Sequence, residues 1–309
     1  MNLTAVAVEV GQIALGVGVA PLLPGVVQWL KAKLQGRRGP SPLQPYRELR
    51  RLWGKSRFLP QPSTVVYQWA PSVVVAALAS ALMVLSVPGL PTASPIGHDA
   101  VLLVGLLALA RFAIALTAWD TGSGFALMGA ARDLMVAISV EALLILCLAL
   151  AALPAGSTDL RAMEEAAAGG AIWLSPEHWC GLVAFALVAV AETGRQPIDN
   201  PDTHLELTMI HEGPLLEYAG RDLAYLQWAA SARHWVILVL GAELFLPHAG
   251  PPVARLVELV GWMFVALAGL AVTETMVVKM RLLRIPVFLG TGAGIATIGI
   301  VSWFTVGRP

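Results

Sequence analysis

The chain has 309 residues, of which 57% are hydrophobic and 13% charged, with a mean hydropathy of +0.72. Soluble domains carry about 25% charged residues, so the composition excludes an ordinary soluble domain, a disordered chain, a collagen and a disulfide scaffold. Twenty basic residues balance twenty acidic ones, and zero net charge argues against a nucleic-acid binder.

A membrane-spanning helix needs about 20 residues, so with its loops this length admits about eight or nine spans. Eight apolar segments follow in chain order: Leu3–Trp29, Thr64–Val87, Val101–Trp119, Leu134–Ala152, His178–Glu192, Ala229–Leu246, Val253–Val278 and Ile285–Val306. The fifth and sixth are short or interrupted. The runs are continuous rather than alternating, which sets a β-barrel aside. The expected fold is all-α: a polytopic membrane bundle of about eight transmembrane helices, a single integral domain over residues 1–309. The N-terminus lacks the basic segment of a signal peptide, so the first apolar run is expected to be retained. Cys147 and Cys180 lie in apolar runs with no CxxC spacing. They read as packing residues, and the chain is expected to hold no metal, iron–sulfur cluster or haem of its own.

Orientation follows from Lys and Arg. The loop after the first span carries Lys31, Lys33, Arg37, Arg38, Arg47, Arg50, Arg51, Lys55 and Arg57. Alternate loops add Arg132, Arg195, Arg221, Arg233, Lys279, Arg281 and Arg284, so one face holds 16 of the 20 basic residues. The opposite face is acidic, with Asp99, Asp159, Glu164, Glu165 and Glu177. Both termini are therefore expected outside. The cytoplasmic loops are expected at about 30–63, 119–133, 193–228 and 279–285.

Ionisable groups inside a membrane cost about 2.5–3.5 kcal/mol each at a helix centre and usually face a bundle interior or a water path. The predicted spans keep Glu9, Arg111, Glu141, Glu243, Glu258 and Glu274, and Glu192 closes the fifth. Glu9, Glu243 and Glu258 read equally as residues near span ends. Arg111 fits a structural ion pair or a functional one, with Glu141 as a partner. Glu141 is the strongest transport candidate, because it is set in mostly apolar sequence.

The loop after the fifth span is the densest site. Glu192, Asp199, Asp202, Glu206, Glu212 and Glu217 fall within 26 positions. Asn200 suits a helix N-cap with Pro201 at the first helical position, and Gly213-Pro214 is expected to end that short helix. Capping explains one or two of these acids and leaves the rest. His204 and His211 are seven residues apart, about 10.5 Å along a helix. Two zinc ligands on one ion lie within about 4 Å of each other, so this pair does not chelate. The two histidines read as titratable members of the acidic cluster or as surface residues. Dinucleotide, P-loop, GxSxG and HExxH motifs are absent from the sequence.

Three stretches together carry a family resemblance. The first is Arg37-Arg-Gly-Pro40 with Gln44-Pro-Tyr-Arg-Glu-Leu and Leu52-Trp-Gly-Lys55. The second runs from Arg111 to Ala126, then Gly129-Ala-Ala-Arg-Asp133 and Glu141. The third is Glu192-Thr-Gly-Arg-Gln-Pro-Ile-Asp-Asn-Pro-Asp-Thr-His-Leu-Glu-Leu207, ending in Glu217-Tyr-Ala-Gly220. Over about residues 10–285 the chain resembles the membrane subunit 1 family of respiratory complex I, in the branch of formate hydrogenlyase and component C of energy-converting hydrogenases.

The resemblance implies an eight-span subunit of a prokaryotic plasma membrane. It would anchor a soluble arm and conduct protons, without catalysing the redox step itself. It implies hydrogenase-like large and small subunits, an iron–sulfur subunit and antiporter-like membrane subunits as partners. Those partners would carry the Ni–Fe centre and the clusters. The implied proton path includes Glu141, Glu192, Asp199, Asp202, Glu206 and Glu217, and the residues themselves add Glu212, His204, His211 and Glu274 as candidates. Arg37, Arg38, Arg47 and Arg195 would lie at the docking surface. The complex I form usually has Glu-Ala-Glu-Ser-Glu-Leu after the proline. Here the sequence is Asp202-Thr-His-Leu-Glu-Leu207, and the segment from Glu206 to Glu217 is about three residues longer. These departures fall where a quinone chamber would be, and they favour a hydrogenase-type complex. The alternatives are a quinone-chamber subunit of a complex I-like dehydrogenase and a stand-alone ion transporter.

Overall fold

A computed structural model describes residues 3–61, 63–85, 87, 97–169, 172–199, 209–246 and 251–306. Eleven α-helices occur among them: α1 (Leu3–Val19), α2 (Leu22–Leu34), α3 (Gln44–Trp53), α4 (Val65–Val84), α5 (Ala100–Thr121), α6 (Gly124–Ala155), α7 (Leu160–Ala167), α8 (Pro176–Glu192), α9 (Gly220–Phe245), α10 (Pro252–Met276) and α11 (Ile285–Val306). Apart from one isolated bridge between Asp99 and Asp159, no β-pairing occurs among the described residues. The protein is an all-helical membrane bundle.

Each expected apolar segment holds a long helix, with one revision. The first segment is two helices, bent by 40° at Ala20-Pro21. A proline lacks the N–H that would continue the ladder, and Pro21 sits at that break. Five helices, α4, α5, α6, α10 and α11, are individually long and apolar enough to cross a membrane, and the α1–α2 pair makes six. Helix α8 has 17 residues, and α9 carries several charges.

Two helices start earlier than their apolar stretches. Helix α6 begins at Gly124 and α9 at Gly220. The expected 119–133 loop is therefore reduced to a break at Gly122-Ser123, with Gly122 in the left-handed conformation that closes α5. The extension of α9 is polar, and that of α6 is apolar but separated from the longer run by Arg132 and Asp133. Helix α3 is an amphipathic basic helix within the first long loop, and it ends on Arg50 and Arg51.

Side chains close the helix ends. Thr64 caps α4 by accepting from Val66 N at 3.2 Å, and Asp99 caps α5 by accepting from Val101 N at 2.9 Å. Asp120, at the end of α5, accepts from Thr64 N at 2.8 Å and Tyr67 N at 3.1 Å. It thereby ties α5 to the start of its antiparallel neighbour α4. Helix α9 stands at the centre, and every residue from His234 to Phe245 is buried. Helices α2, α3, α4, α7, α8 and α10 pack against it. Outward faces are apolar, as at Val253, Val257, Val260 and Phe264 on α10 and Val287 and Phe304 on α11. That inverts the soluble pattern and suits a hydrocarbon surround.

Candidate functional site

The buried charges converge where the end of α8 meets the middle of α5, α6 and α9. Glu192 is the last residue of α8, and its side chain is 1% exposed. Its Oε2 accepts from Arg111 Nη2 on α5 at 2.9 Å and from Arg233 Nη1 on α9 at 3.1 Å. Burying a carboxylate alone is prohibitive, and two guanidiniums on one oxygen offset that cost. Arg233 also donates to the Leu107 carbonyl at 2.9 Å. Arg111 reaches two further acids, Glu141 at 3.6 Å and Asp133 at 3.8 Å, both on α6. One guanidinium thus faces three carboxylates.

The segment after α8 folds back onto this cluster. Gly194 adopts φ +63°, and a Cβ there would stand 3.3 Å from the His211 ring. Glycine therefore meets both the left-handed turn and the close approach. Asp199 organises the turn. Its Oδ2 accepts from the backbone N–H groups of Ile210 and His211, each at 3.1 Å, and its Oδ1 accepts from Lys279 Nζ at 2.7 Å. Burial alone would push this carboxyl up; the hydrogen bonds and charges of His211 and Lys279 outweigh it and hold Asp199 well below the usual carboxylate range. The Met280 N–H donates to the Pro197 carbonyl at 2.8 Å, so the segment that follows α10 clamps the same turn.

A second ion cluster lies beside the first. Glu274 of α10 is enclosed, with Arg195 Nη1 at 2.9 Å and Lys31 Nζ at 3.7 Å. Gly129 on α6 and Gly213 meet backbone to backbone, and a Cβ on either would lie 2.7 Å from the other's Cα. This contact seats the 3₁₀ turn Gly213–Leu215 on α6. Tyr218 stacks on Tyr67 of α4 with ring centroids 4.2 Å apart, and the Tyr67 hydroxyl donates to the Glu217 carbonyl at 2.7 Å.

These elements enclose a cavity of about 940 Å³. One wall is polar and includes Arg111, Asp133, Glu192, Arg195, Asp199, His211 and Arg233; the other is apolar, with Val74, Leu78, Ile114 and Leu226. Among the described residues, no group of three or more His, Cys, Asp or Glu side chains could hold a metal ion.

Several expected positions turn out differently. Arg195, expected at the docking surface, is buried at 5% exposure against Glu274. Arg233 and Lys31, expected in cytoplasmic loops, lie on α9 and α2 inside the ion clusters. The short helix expected to end at Gly213-Pro214 does not reach that point: Met209–Glu212 are not helical, and a 3₁₀ turn starts at Gly213. Asp202, His204 and Glu206 lie outside the described residues. Glu212 lines the cavity, and Glu217 is partly buried beside it. Arg37, Arg38 and Arg47 are exposed. Sequence reasoning passed over Asp133, Arg233, Lys31 and Lys279. Asp133 stood in the quoted motif at the foot of α6, one residue after Arg132, and that placement was its only signal.

The profile of the NADH dehydrogenase family matches residues 8–301. The chain belongs to the NADH dehydrogenase subunit 1 family. Formate hydrogenlyase subunit 4 of Escherichia coli (strain K12) is 32% identical over 291 residues, covering 92% of this chain and 94% of that protein. Hydrogenase-4 component C of the same organism is 32% identical over 297 residues, covering 93% and 92%. Among solved structures, a chain of the membrane-bound sulfane sulfur reductase, an archaeal respiratory membrane complex, shares the fold. Its TM-score is 0.83 at 21% identity, covering 95% of this chain and 98% of that one. The family member described here is a multi-pass membrane protein and a complex I-like membrane anchor, one subunit of a larger assembly.

Proposed function

We propose that this subunit anchors the soluble arm of a [NiFe]-hydrogenase or formate hydrogenlyase type of complex and conducts protons in step with the arm's redox chemistry. The observation that carries the conduction reading is the continuous contact from Asp199 through His211 and Asp133 to Arg111, Glu192 and Glu141. A buried, branched network of this kind can exchange protons without exposing a lone charge. Glu141 is its outermost member. Its side chain is 27% exposed, on the α6 face that also presents Ile138 and Ile145. A carboxylate on that apolar face is placed to pass a proton to an adjoining membrane subunit.

The hydrogenase assignment rests on the two relatives and on the departures at Asp202–Leu207. On this reading the partners are hydrogenase-like large and small subunits, an iron–sulfur subunit and antiporter-like subunits. The chain makes eight passes of a prokaryotic plasma membrane with both termini outside. The pairing of α8 and α9 with the six more apolar spans supports that number.

E141Q tests conduction. In inside-out vesicles the complex should assemble and keep its redox turnover, while proton uptake per turnover falls by about tenfold or more. Undiminished uptake sinks the role of Glu141. A second reading, a quinone-chamber subunit, is favoured by the cavity alone, since about 940 Å³ with one apolar wall is room for a drug-sized amphipath.

A further inference from the structure

Asp133 and Asp199 belong to separate parts of the fold, and one imidazole lies between them. His211 places Nδ1 3.4 Å from Asp199 Oδ2 and Nε2 3.8 Å from Asp133 Oδ1. The ring rests on Gly194, and its own backbone N–H is held by Asp199. A neutral imidazole donates through one nitrogen only, whereas the imidazolium donates through both. The neutral ring therefore serves one of these carboxylates at a time.

The two carboxylates are unequal. Asp199 is already held by two backbone N–H groups and by Lys279 from the segment after α10. A carboxylate so supplied stays ionised. Asp133 Oδ1 is buried without a hydrogen-bond partner among the described residues, and its Oδ2 lies 3.8 Å from Arg111 Nε. One flank is thus a fixed anion and the other an open acceptor. The wider charges agree. Arg111 and Arg233 face Glu192, Glu141 and Asp133, two cations against three carboxylates, and one added proton balances the set. The neighbouring Arg132 is turned to the Met209 carbonyl at 3.4 Å.

We propose that His211 carries protons from the loop to the membrane-embedded network, with Asp199 as its fixed counter-ion and Asp133 as its acceptor. This rests on the conduction reading above and adds its entry step. A ring holding its proton on Nε2 takes a second on Nδ1 from a hydronium ion that enters the cavity, leaving water, and becomes imidazolium. The Nε2–H bond then breaks as an O–H bond forms at Asp133 Oδ1. That leaves a neutral imidazole and a neutral carboxylic acid beside Arg111. Exchange with cavity water returns the ring to its starting tautomer. The 3.8 Å separation closes to hydrogen-bond range with a shift of about 0.6–1 Å.

The test compares H211Q, D133N and E141Q in the assembled complex, in inside-out vesicles. Redox turnover and proton uptake are read together, from pH 5 to 8. Glutamine keeps a hydrogen-bond donor at His211 but cannot titrate. H211Q and D133N should each cut proton uptake per turnover by about tenfold or more. In H211Q the pH dependence of uptake between pH 5 and 8 should flatten, and added imidazole should restore part of the uptake. Full uptake in H211Q with uptake blocked in E141Q overturns the relay and leaves conduction standing. Full uptake in all three overturns conduction as well. If H211Q assembles poorly, D133N decides: normal uptake there overturns the relay.

Discussion

Asp199 shows how one side chain can set the shape of a segment. It collects two backbone N–H groups and a lysine, and it faces a histidine. Its carboxyl is held well below the ordinary value of 3.8. A carboxylate held low stabilises the fold above its ordinary pKa and loses that contribution as pH falls through that value toward the lower one. The protection factors of the Ile210 and His211 amides, exchange corrected for its intrinsic pH dependence, should therefore be steady from pH 5 to 7 and should fall below about pH 4. Protection that does not change across that window removes Asp199 as the anchor. The sequence marked Asp199 as one acid among six in a dense loop. It could not show which acids are buried or what holds them, because those partners lie far away in the chain. Lys279 is 80 residues on, and Arg111 is 81 residues from Glu192.

At the scale of elements, hydropathy located the helices well because a run of about 20 apolar residues has few other fates in lipid. It misplaced their ends for the same reason. The start of α9 is polar, and the apolar start of α6 is cut off from the longer run by Arg132 and Asp133, although Asp133 and Asp222 are buried. The bend at Ala20-Pro21 was written in Pro21 and Pro24, but continuous hydropathy masked it. Contacts between elements were legible at one ion pair, Arg111 with Glu141, and hardly beyond it, and the Gly129–Gly213 meeting is an instance of what was hidden. Neither glycine has a local reason to be small, yet a methyl on either collides with the other's backbone. G129A should push the Gly213–Leu215 turn off α6 at a cost of about 1–3 kcal/mol. A lower melting temperature of the purified complex, with faster proteolysis between Met209 and Tyr218, is the expected result. Unchanged values would mean that the turn does not depend on this contact.

At the scale of the molecule, the zero net charge conceals a sorting of charges. Exposed arginines gather on the first long loop and α3, while Lys31, Arg111, Arg195 and Arg233 turn inward to meet carboxylates. Basic residues that looked alike in sequence therefore divide into an exposed group and a buried, ion-paired one. The variant R37A/R38A/R47A should let the soluble arm dissociate at a lower salt concentration than wild type, since exposed charge attraction is screened by ions. Gel filtration in mild detergent reads this directly, and an arm retained at wild-type salt removes these residues from docking. Helix α9 carries the sorting into the history of the chain. Its Asp222, Arg233, His234 and Glu243 make it a poor passenger for direct entry into lipid, each central charge costing about 2.5–3.5 kcal/mol. The ion-pair partners of this helix, Arg57 for Asp222 and Glu192 for Arg233, come earlier in the sequence. The helix at the centre of the finished bundle is thus among those least able to enter the bilayer alone. Its entry is expected to depend on the earlier spans that bring those partners.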